Sequence, residues 1–389
     1  MKKLTLYSHI FLFVLTLTLP LAFYLSGLNA TLKLEGVVVK DSKSRFTWTN
    51  LVEGKFQRRF EQNLKHISGL QPLLVRTDNQ LNYSFFHQIS TSYEGKVVAG
   101  NGNELIEKAY LSQANKLDAV DLNKLKQKVK SLKFLQDELS RRGVAFLLLI
   151  SPNKPTLYPE IIPAGYRVEN RDSRLSRHEL MIPLLVEERV NFIDGPKLFD
   201  DIKRSDVRLF ASSGTHWNEY GSCIIADVLR ERVEALLDKK LSKFSCRYVG
   251  NRAVPIAQDR DLTEIANLWF PEMTYSQNPR PENLLLEKGE KPAPNVVWVG
   301  TSFSWGPFRF LDKHHVFNSR EMYYYFKRRD SYPSGLSRSV VKEKIDWESE
   351  VFNKDIVIFE VNEAFLHRAG YGFDKFANRH ISLVNSKHN

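Results

Sequence analysis

The chain has 389 residues, 42% hydrophobic and 26% charged; this is ordinary globular composition and excludes whole-chain disorder and low-complexity fibre. Lys and Arg number 56 against 45 Asp and Glu, a net charge of +11, which favours acidic partners: a polyanionic glycan, anionic lipid headgroups or nucleic acid. Two cysteines exclude a disulfide-dense scaffold and a cysteine-rich zinc site, and leave open whether Cys223 and Cys246 form one disulfide or two free thiols.

Met1-Lys2-Lys3 precedes an apolar stretch to about Leu28, and no Asp, Glu, Lys or Arg occurs between Lys3 and Lys33. A run of ~20 apolar residues spans a bilayer core as a helix. Its length, and the poor cleavage site at Gly27-Leu28-Asn29-Ala30, favour an uncleaved anchor over 1–30 rather than a cleaved signal peptide. Lys2 and Lys3 then stay cytoplasmic. Lys33, Lys40, Lys43 and Arg45 oppose the positive-inside bias, which long translocated domains override. The bulk of the chain is expected on the periplasmic side of a bacterial inner membrane, which sets nucleic acid aside as the acidic partner and favours an envelope glycan or lipid. Residues 31–84 are polar and without periodicity, a stalk and lead-in segment; 85–385 form the remaining domain.

Val97-Val98-Ala99-Gly100-Asn101-Gly102 predicts a strand and a tight turn. Leu122, Leu125, Val129, Leu132, Leu135 and Leu139 recur at three and four, so 121–142 is an amphipathic helix, closed by Arg141-Arg142-Gly143. The continuous apolar run 144–150 follows at once and predicts a strand buried on both faces. A helix near 174–189 precedes a strand at 190–194, and another helix spans about 219–238. Buried runs at 296–299 and 355–361 complete the pattern. Helices alternating with buried strands predict an α/β fold with a doubly wound, mostly parallel sheet. Ligands of such sheets bind beyond the carboxyl ends of the strands. Those ends carry Ser151-Pro152-Asn153-Lys154, Asp194, Thr301-Ser302-Phe303-Ser304-Trp305 and Asn362-Glu363.

Ser302 follows a buried strand and Gly300, a geometry that exposes a hydroxyl beside free backbone N–H groups. A serine hydroxyl needs a base within reach. His216, in Gly214-Thr215-His216-Trp217-Asn218, is the best candidate among the ten histidines. The plain alternatives are a simple turn at Ser302 and a solvated or capping His216. Trp217 and Trp305 flank the site as sugar-stacking platforms or as packing. Asn218 is a helix cap or a ligand contact, Asn362 an oxyanion donor or a strand-end residue, and Lys154 a contact for an acidic substrate or a solvated cation. Tyr323-Tyr324-Tyr325-Phe326-Lys327-Arg328-Arg329 lines a glycan groove or forms a buried helix face with a solvated end. His314-His315 lacks further ligands at metal spacing, so no zinc is expected.

Gly300-Thr301-Ser302-Phe303-Ser304, Thr215-His216-Trp217-Asn218 with Gly221, Val97–Gly102, and Ser151-Pro152-Asn153-Lys154 through Tyr158-Pro159-Glu160 together resemble the alginate O-acetyltransferase family, the AlgJ/AlgX group. The resemblance covers roughly residues 90–365. It implies an SGNH-hydrolase-like domain with circularly permuted motifs, Ser302 as the acyl-accepting nucleophile and His216 as its general base. It further implies a polysaccharide acceptor, near which Thr301, Trp217, Asn218, Trp305, Asn362 and Lys154 are candidate contacts. A multipass membrane-bound O-acyltransferase would be the partner that delivers the acyl group, and no soluble cofactor is implied. One position departs from the family: the aspartate that usually orients the histidine is Gly214. Asp206, Glu360 or Glu363 substitutes for it, or a backbone carbonyl orients the ring, or the protein binds glycan without catalysis.

Overall fold

The computed structural model describes residues 2–26, 34–36, 46–58, 70–89, 96–118, 121–204 and 206–388. The chain divides into two compact units, Met1–Ala99 with Leu262–Met273, and Gly100–Asp261 with Thr274–Asn389. In the first, α1 (Lys2–Leu25) is a single helix of 24 residues. Among the described residues no helix is long and apolar enough to cross a membrane. The Gly27–Ala30 exit and Lys33, Lys40, Lys43 and Arg45 lie outside the described residues. Helix α2 (Leu70–Phe86) turns polar side chains toward 262–273: Asn79 Nδ2 donates to Ala266 O at 2.8 Å, and Gln80 Oε1 accepts from Trp269 N at 3.1 Å.

The second unit runs α3 (Leu122–Arg141), β1 (Ala145–Ser151), α4 (Arg177–Glu187), β2 (Phe192–Asp194), α5 (Glu219–Leu237), β3 (Asn295–Gly300), α6 (Trp305–Lys313), β4 (Ser319–Tyr324), β5 (Arg328–Tyr332), β6 (Ser337–Ser339), β7 (Ile356–Asn362) and α7 (Phe373–His388). The helices begin where local chemistry starts them. Asp121 caps α3 through Asn123 N and Lys124 N, and Ser176 and Glu179 form a reciprocal capping box on α4. The strands form one seven-stranded sheet in the order β6-β5-β4-β3-β7-β1-β2. The pairs β4–β3, β3–β7, β7–β1 and β1–β2 are parallel, and β4–β5–β6 is antiparallel. All four apolar runs singled out in the sequence are strands of this sheet.

Alternation within those runs serves two faces. Phe146, Leu148, Ile150, Val297, Val299, Val357, Phe359 and Val361 pack with Leu125, Val129, Leu132, Met181, Phe373 and Ala377 of α3, α4 and α7. Their neighbours Leu147, Leu149, Val296, Trp298, Ile356 and Ile358 are also fully buried, and Trp298 stacks edge-on against Phe308 of α6 at 4.7 Å. Complete burial on both sides is why these runs show no polar alternation. The Tyr323–Arg329 cluster is no helix face: it is the end of β4, a turn and the start of β5, with Tyr323 in the core. Cys223 of α5 and Cys246 form a disulfide.

Candidate active site

β3 ends at Gly300, where the chain folds back so tightly that a Cβ would stand 2.6 Å from Ser304 Oγ and 2.8 Å from Trp298 Nε1. The turn that follows is pinned from below by Glu360 of β7. Its Oε2 accepts from Thr301 N at 2.6 Å, Thr301 Oγ1 at 2.7 Å and Ser304 Oγ at 3.2 Å, and Oε1 accepts from Ser151 Oγ at 2.5 Å. Thr301 in turn accepts from Phe303 N. Ser302 thus begins a short turn of 3₁₀ helix running into α6, with its hydroxyl at the carboxyl end of a central strand.

His216 approaches from the segment before α5. Its Nε2 lies 2.8 Å from Ser302 Oγ, and its Nδ1 lies 2.7 Å from Asp261 Oδ2. Asp261 Oδ1 accepts from Thr215 N at 2.8 Å, so the carboxylate is fixed by the backbone next to the histidine it faces. A carboxylate on Nδ1 keeps the proton there and leaves Nε2 to accept from the serine hydroxyl. Burial alone would push the imidazole pKa down. Asp261 first, then Glu107 and Glu360, outweigh it, and the net shift is upward. Serine, histidine and aspartate in this chain of contacts can attack an ester carbonyl, take up the serine proton and hold the imidazolium that results.

Asp261 is the residue sequence reasoning missed. Gly214 signalled only that the usual carboxylate was absent. The structure shows where the space went: a Cβ on Gly214 would stand 2.9 Å from both C and O of Asp259. Ser213 Oγ donates to Asp259 O at 2.7 Å, and Asp259 Oδ2 accepts from Glu219 N at 3.3 Å. The turn Ala257–Arg260 therefore lies against the glycine and presents Asp261 to the ring. None of the three proposed substitutes does this. Asp206 is an exposed partner of Arg204, at 2.7 Å. Glu360 pins the nucleophile turn. Glu363 accepts from Asn153 N at 2.8 Å and Gln113 Nε2 at 2.9 Å.

Several candidate contacts are structural. Lys154 is 1% exposed; its Nζ donates to Ala211 O and Ser212 O, each at 2.9 Å, and lies 3.2 Å from Glu104, so it braces the strand of chain leading to His216 and meets no substrate. Trp217 is fully buried between Phe199 and Phe303 and donates from Nε1 to Phe303 O at 3.0 Å, which ties the histidine segment to the nucleophile turn and rules out sugar stacking. Asn218 caps α5 by accepting from Gly221 N and donates to Arg208 O. Asn362 accepts from Ala364 N and donates to Pro152 O, both at 3.0 Å, so its amide is committed to backbone rather than to an oxyanion. Thr301 is buried under the turn.

Trp305 does remain half-buried at the rim. Its ring lies 5.7 Å from that of Tyr324, which lies 4.7 Å from Tyr325, which lies 5.1 Å from Tyr371. Burial and then the neighbouring Tyr324 push the Tyr325 phenol up to about 12, so it stays neutral at ordinary pH.

The model of the SGNH hydrolase-like domain of the acetyltransferase AlgX matches residues 109–325, more than half of the chain. The probable alginate O-acetylase AlgJ of Pseudomonas aeruginosa is 25% identical over 286 residues, 67% of each chain. Among solved structures, the O-acetyltransferase domain of Pseudomonas putida AlgJ is similar with a TM-score of 0.43 at 18% identity, over 70% of this chain and 92% of that one. Pseudomonas aeruginosa AlgX gives a TM-score of 0.43 at 14% identity, over 77% and 69%.

Proposed function

Because the chain belongs to the SGNH hydrolase-like AlgX acetyltransferase family, we propose that it is an O-acetyltransferase that moves an acyl group through Ser302 onto hydroxyls of an envelope or secreted polysaccharide. The observation that carries the reading is the continuous contact from Ser302 Oγ through His216 to Asp261, at 2.8 and 2.7 Å. Ser302 Oγ attacks the donor carbonyl while His216 Nε2 takes its proton. The donor's leaving group departs with that proton, and an acyl-Ser302 remains. A sugar hydroxyl then attacks the acyl carbon, His216 receives the hydroxyl proton, and Ser302 Oγ leaves and is reprotonated from His216.

The net charge of +11 suits an anionic polymer, and the name of the P. aeruginosa relative points to a uronate chain as the first acceptor to try. In this reading the second unit works on the periplasmic side of a bacterial inner membrane, and a multipass membrane-bound acyltransferase hands over the donor. A non-catalytic glycan-binding subunit was motivated by Gly214, and the carboxylate of Asp261 on His216 takes that motive away.

The test is intact mass of the full chain in detergent after incubation with a small acetyl ester, wild type beside Ser302→Ala. An added acetyl group on wild type and none on the variant is expected. No adduct and no ester turnover on wild type would return the chain to the binding-subunit reading. Release of free acetate with no transfer to any sugar would make it an esterase.

A further inference from the structure

Three bulky aromatic residues near Ser302 have left-handed backbone: Tyr325 at φ 49°, Phe326 at φ 53° and Tyr371 at φ 50°. Residues with large side chains avoid this region, and where they occupy it the surroundings compel them, most often at functional sites. For Phe326 the core is sufficient cause. It is fully buried, 5.2 Å from Phe373.

No such cause applies to the two tyrosines, which are only half-buried. Tyr325 sits in the turn between β4 and β5, a place usually given to Asn or Gly. Its N–H donates to Gly300 O at 2.9 Å, which fixes it beside the strand end that carries Ser302. Tyr371 is flanked by Gly370 at φ 76° and Gly372 at φ 94°. Gly370 is compelled there, because a Cβ would stand 2.5 Å from the Phe359 ring. The loop thus spends three consecutive left-handed residues to lay Tyr371 against Tyr325. The Tyr371 hydroxyl is buried and has no partner among the described residues. A buried hydroxyl left unsatisfied calls for a ligand atom or an equivalent explanation.

We propose that Tyr325 and Tyr371 form the acceptor platform of this site, on which a pyranose ring lies with its apolar face on the aromatic surface and one hydroxyl against Tyr371 Oη, so that a sugar rather than water takes the acyl group from Ser302. The proposal rests on the transferase reading above and adds what decides between transfer and hydrolysis. In both outcomes the C–O bond to Ser302 Oγ breaks, and a new bond forms from the acyl carbon to the attacking oxygen. The proton of the attacking hydroxyl passes through His216 to Ser302 Oγ. Only the attacking oxygen differs, so the platform acts on partition and not on the chemistry of the centre.

The experiment measures, per acetyl-enzyme formed, the ratio of acetylated sugar to free acetate, using the full chain, a small acetyl ester as donor and alginate oligosaccharides as acceptor. Tyr325→Gly and Tyr371→Gly remove each ring while keeping a residue suited to positive φ. A fall of about tenfold in the ratio is expected for each, the effect of losing one aromatic stacking contact. Tyr325→Phe keeps the ring and is expected to hold the ratio, whereas Tyr371→Phe removes the unpartnered hydroxyl and is expected to lower it. An unchanged ratio in both glycine variants overturns the proposal. So does a glycine variant that forms no acetyl-enzyme when wild type does, since the ring would then belong to acylation. If wild type itself forms no acetyl-enzyme, the transferase reading fails and this inference falls with it, a result distinct from an unchanged ratio.

Discussion

At the scale of single residues the site turns on one carboxylate. Asp261 holds the Nδ1 side of His216, and its charge is the main reason the imidazole pKa lies above its ordinary value despite burial. Asp261→Asn keeps the shape and removes the charge. The loss in kcat for a small ester is expected to be roughly a thousand- to ten-thousandfold, because the ring can then settle in the wrong tautomer. A general base must be unprotonated, so a raised pKa limits activity on the acid side. Without the Asp261 charge the imidazole pKa falls, and the acidic limb of kcat/KM moves to lower pH. A pH–rate profile of both proteins checks this; an unshifted limb would mean that another group orients His216. Ser302 and His216 were legible in the sequence because each stands beside a glycine or cap motif at an element boundary. Lys154 and Trp217 could not be read as structural for a common reason: their partners, the carbonyls of Ala211, Ser212 and Phe303, are backbone groups far away in sequence, and residue type alone does not show that a polar side chain is already satisfied. The cap reading of Asn218 needed only Gly221, three residues on, and holds.

At the scale of elements, the fit between Gly214 and the Ala257–Arg260 turn carries a counterintuitive consequence. Gly214→Asp would restore the aspartate usual in the family at that place, yet it is expected to damage the site. Its Cβ would press on the Asp259 backbone at 2.9 Å, and the turn that presents Asp261 would have to move. Overpacking of this kind costs about 1–3 kcal/mol, and a displacement of ~1 Å in a catalytic group costs roughly a hundredfold in rate. Ester turnover and a thermal melt of Gly214→Asp beside wild type measure both. A variant as active and as stable as wild type would show that the turn is not held by this contact. The same dependence on distant partners explains which elements were legible. Runs 144–150, 296–299 and 355–361 announced central strands because both faces are buried and nearly every position is apolar, Asp355 and Glu360 being the exceptions. β4 and β5 did not, because their buried cations are neutralised only in the fold. Arg320 pairs with Asp312, and Arg329 pairs with Glu321 and Glu350. In sequence these residues look like a solvated basic cluster.

At the scale of the whole molecule, buried titratable groups set how stability changes with pH. Asp259 is 2% exposed and Glu363 1% exposed, and burial raises both to about 7. His178 and His216 are raised as well: in each, burial works against the charged form, and the nearby Asp194 or Asp261 outweighs it. All four groups shift in the same sense, so the folded chain binds more protons than the unfolded chain near neutrality. The two carboxyls lose their protons at lower pH in the unfolded chain than in the folded one. Their contribution is therefore fully present below the unfolded value near 4 and is lost as pH rises to about 7 and beyond. For the two histidines it is present below 6.5 and lost as pH rises through the higher folded value. The carboxylates whose pKa is lowered, such as Glu179 and Glu321, act in the opposite sense and only below their ordinary range. His314 and His367, which burial lowers, His367 to about 4, oppose the four raised groups up to about pH 6.5; above that they are neutral in both states and the slope is set by the raised groups, at about 1.4 kcal/mol per pH unit for each proton of difference. Unfolding of the full chain is expected at lower temperature at pH 8 than at pH 5. The paired change Asp259→Asn with Glu363→Gln removes two of the four groups and should flatten the dependence. A melting temperature that rises from pH 5 to 8 would mean that these side chains reach water in the folded state.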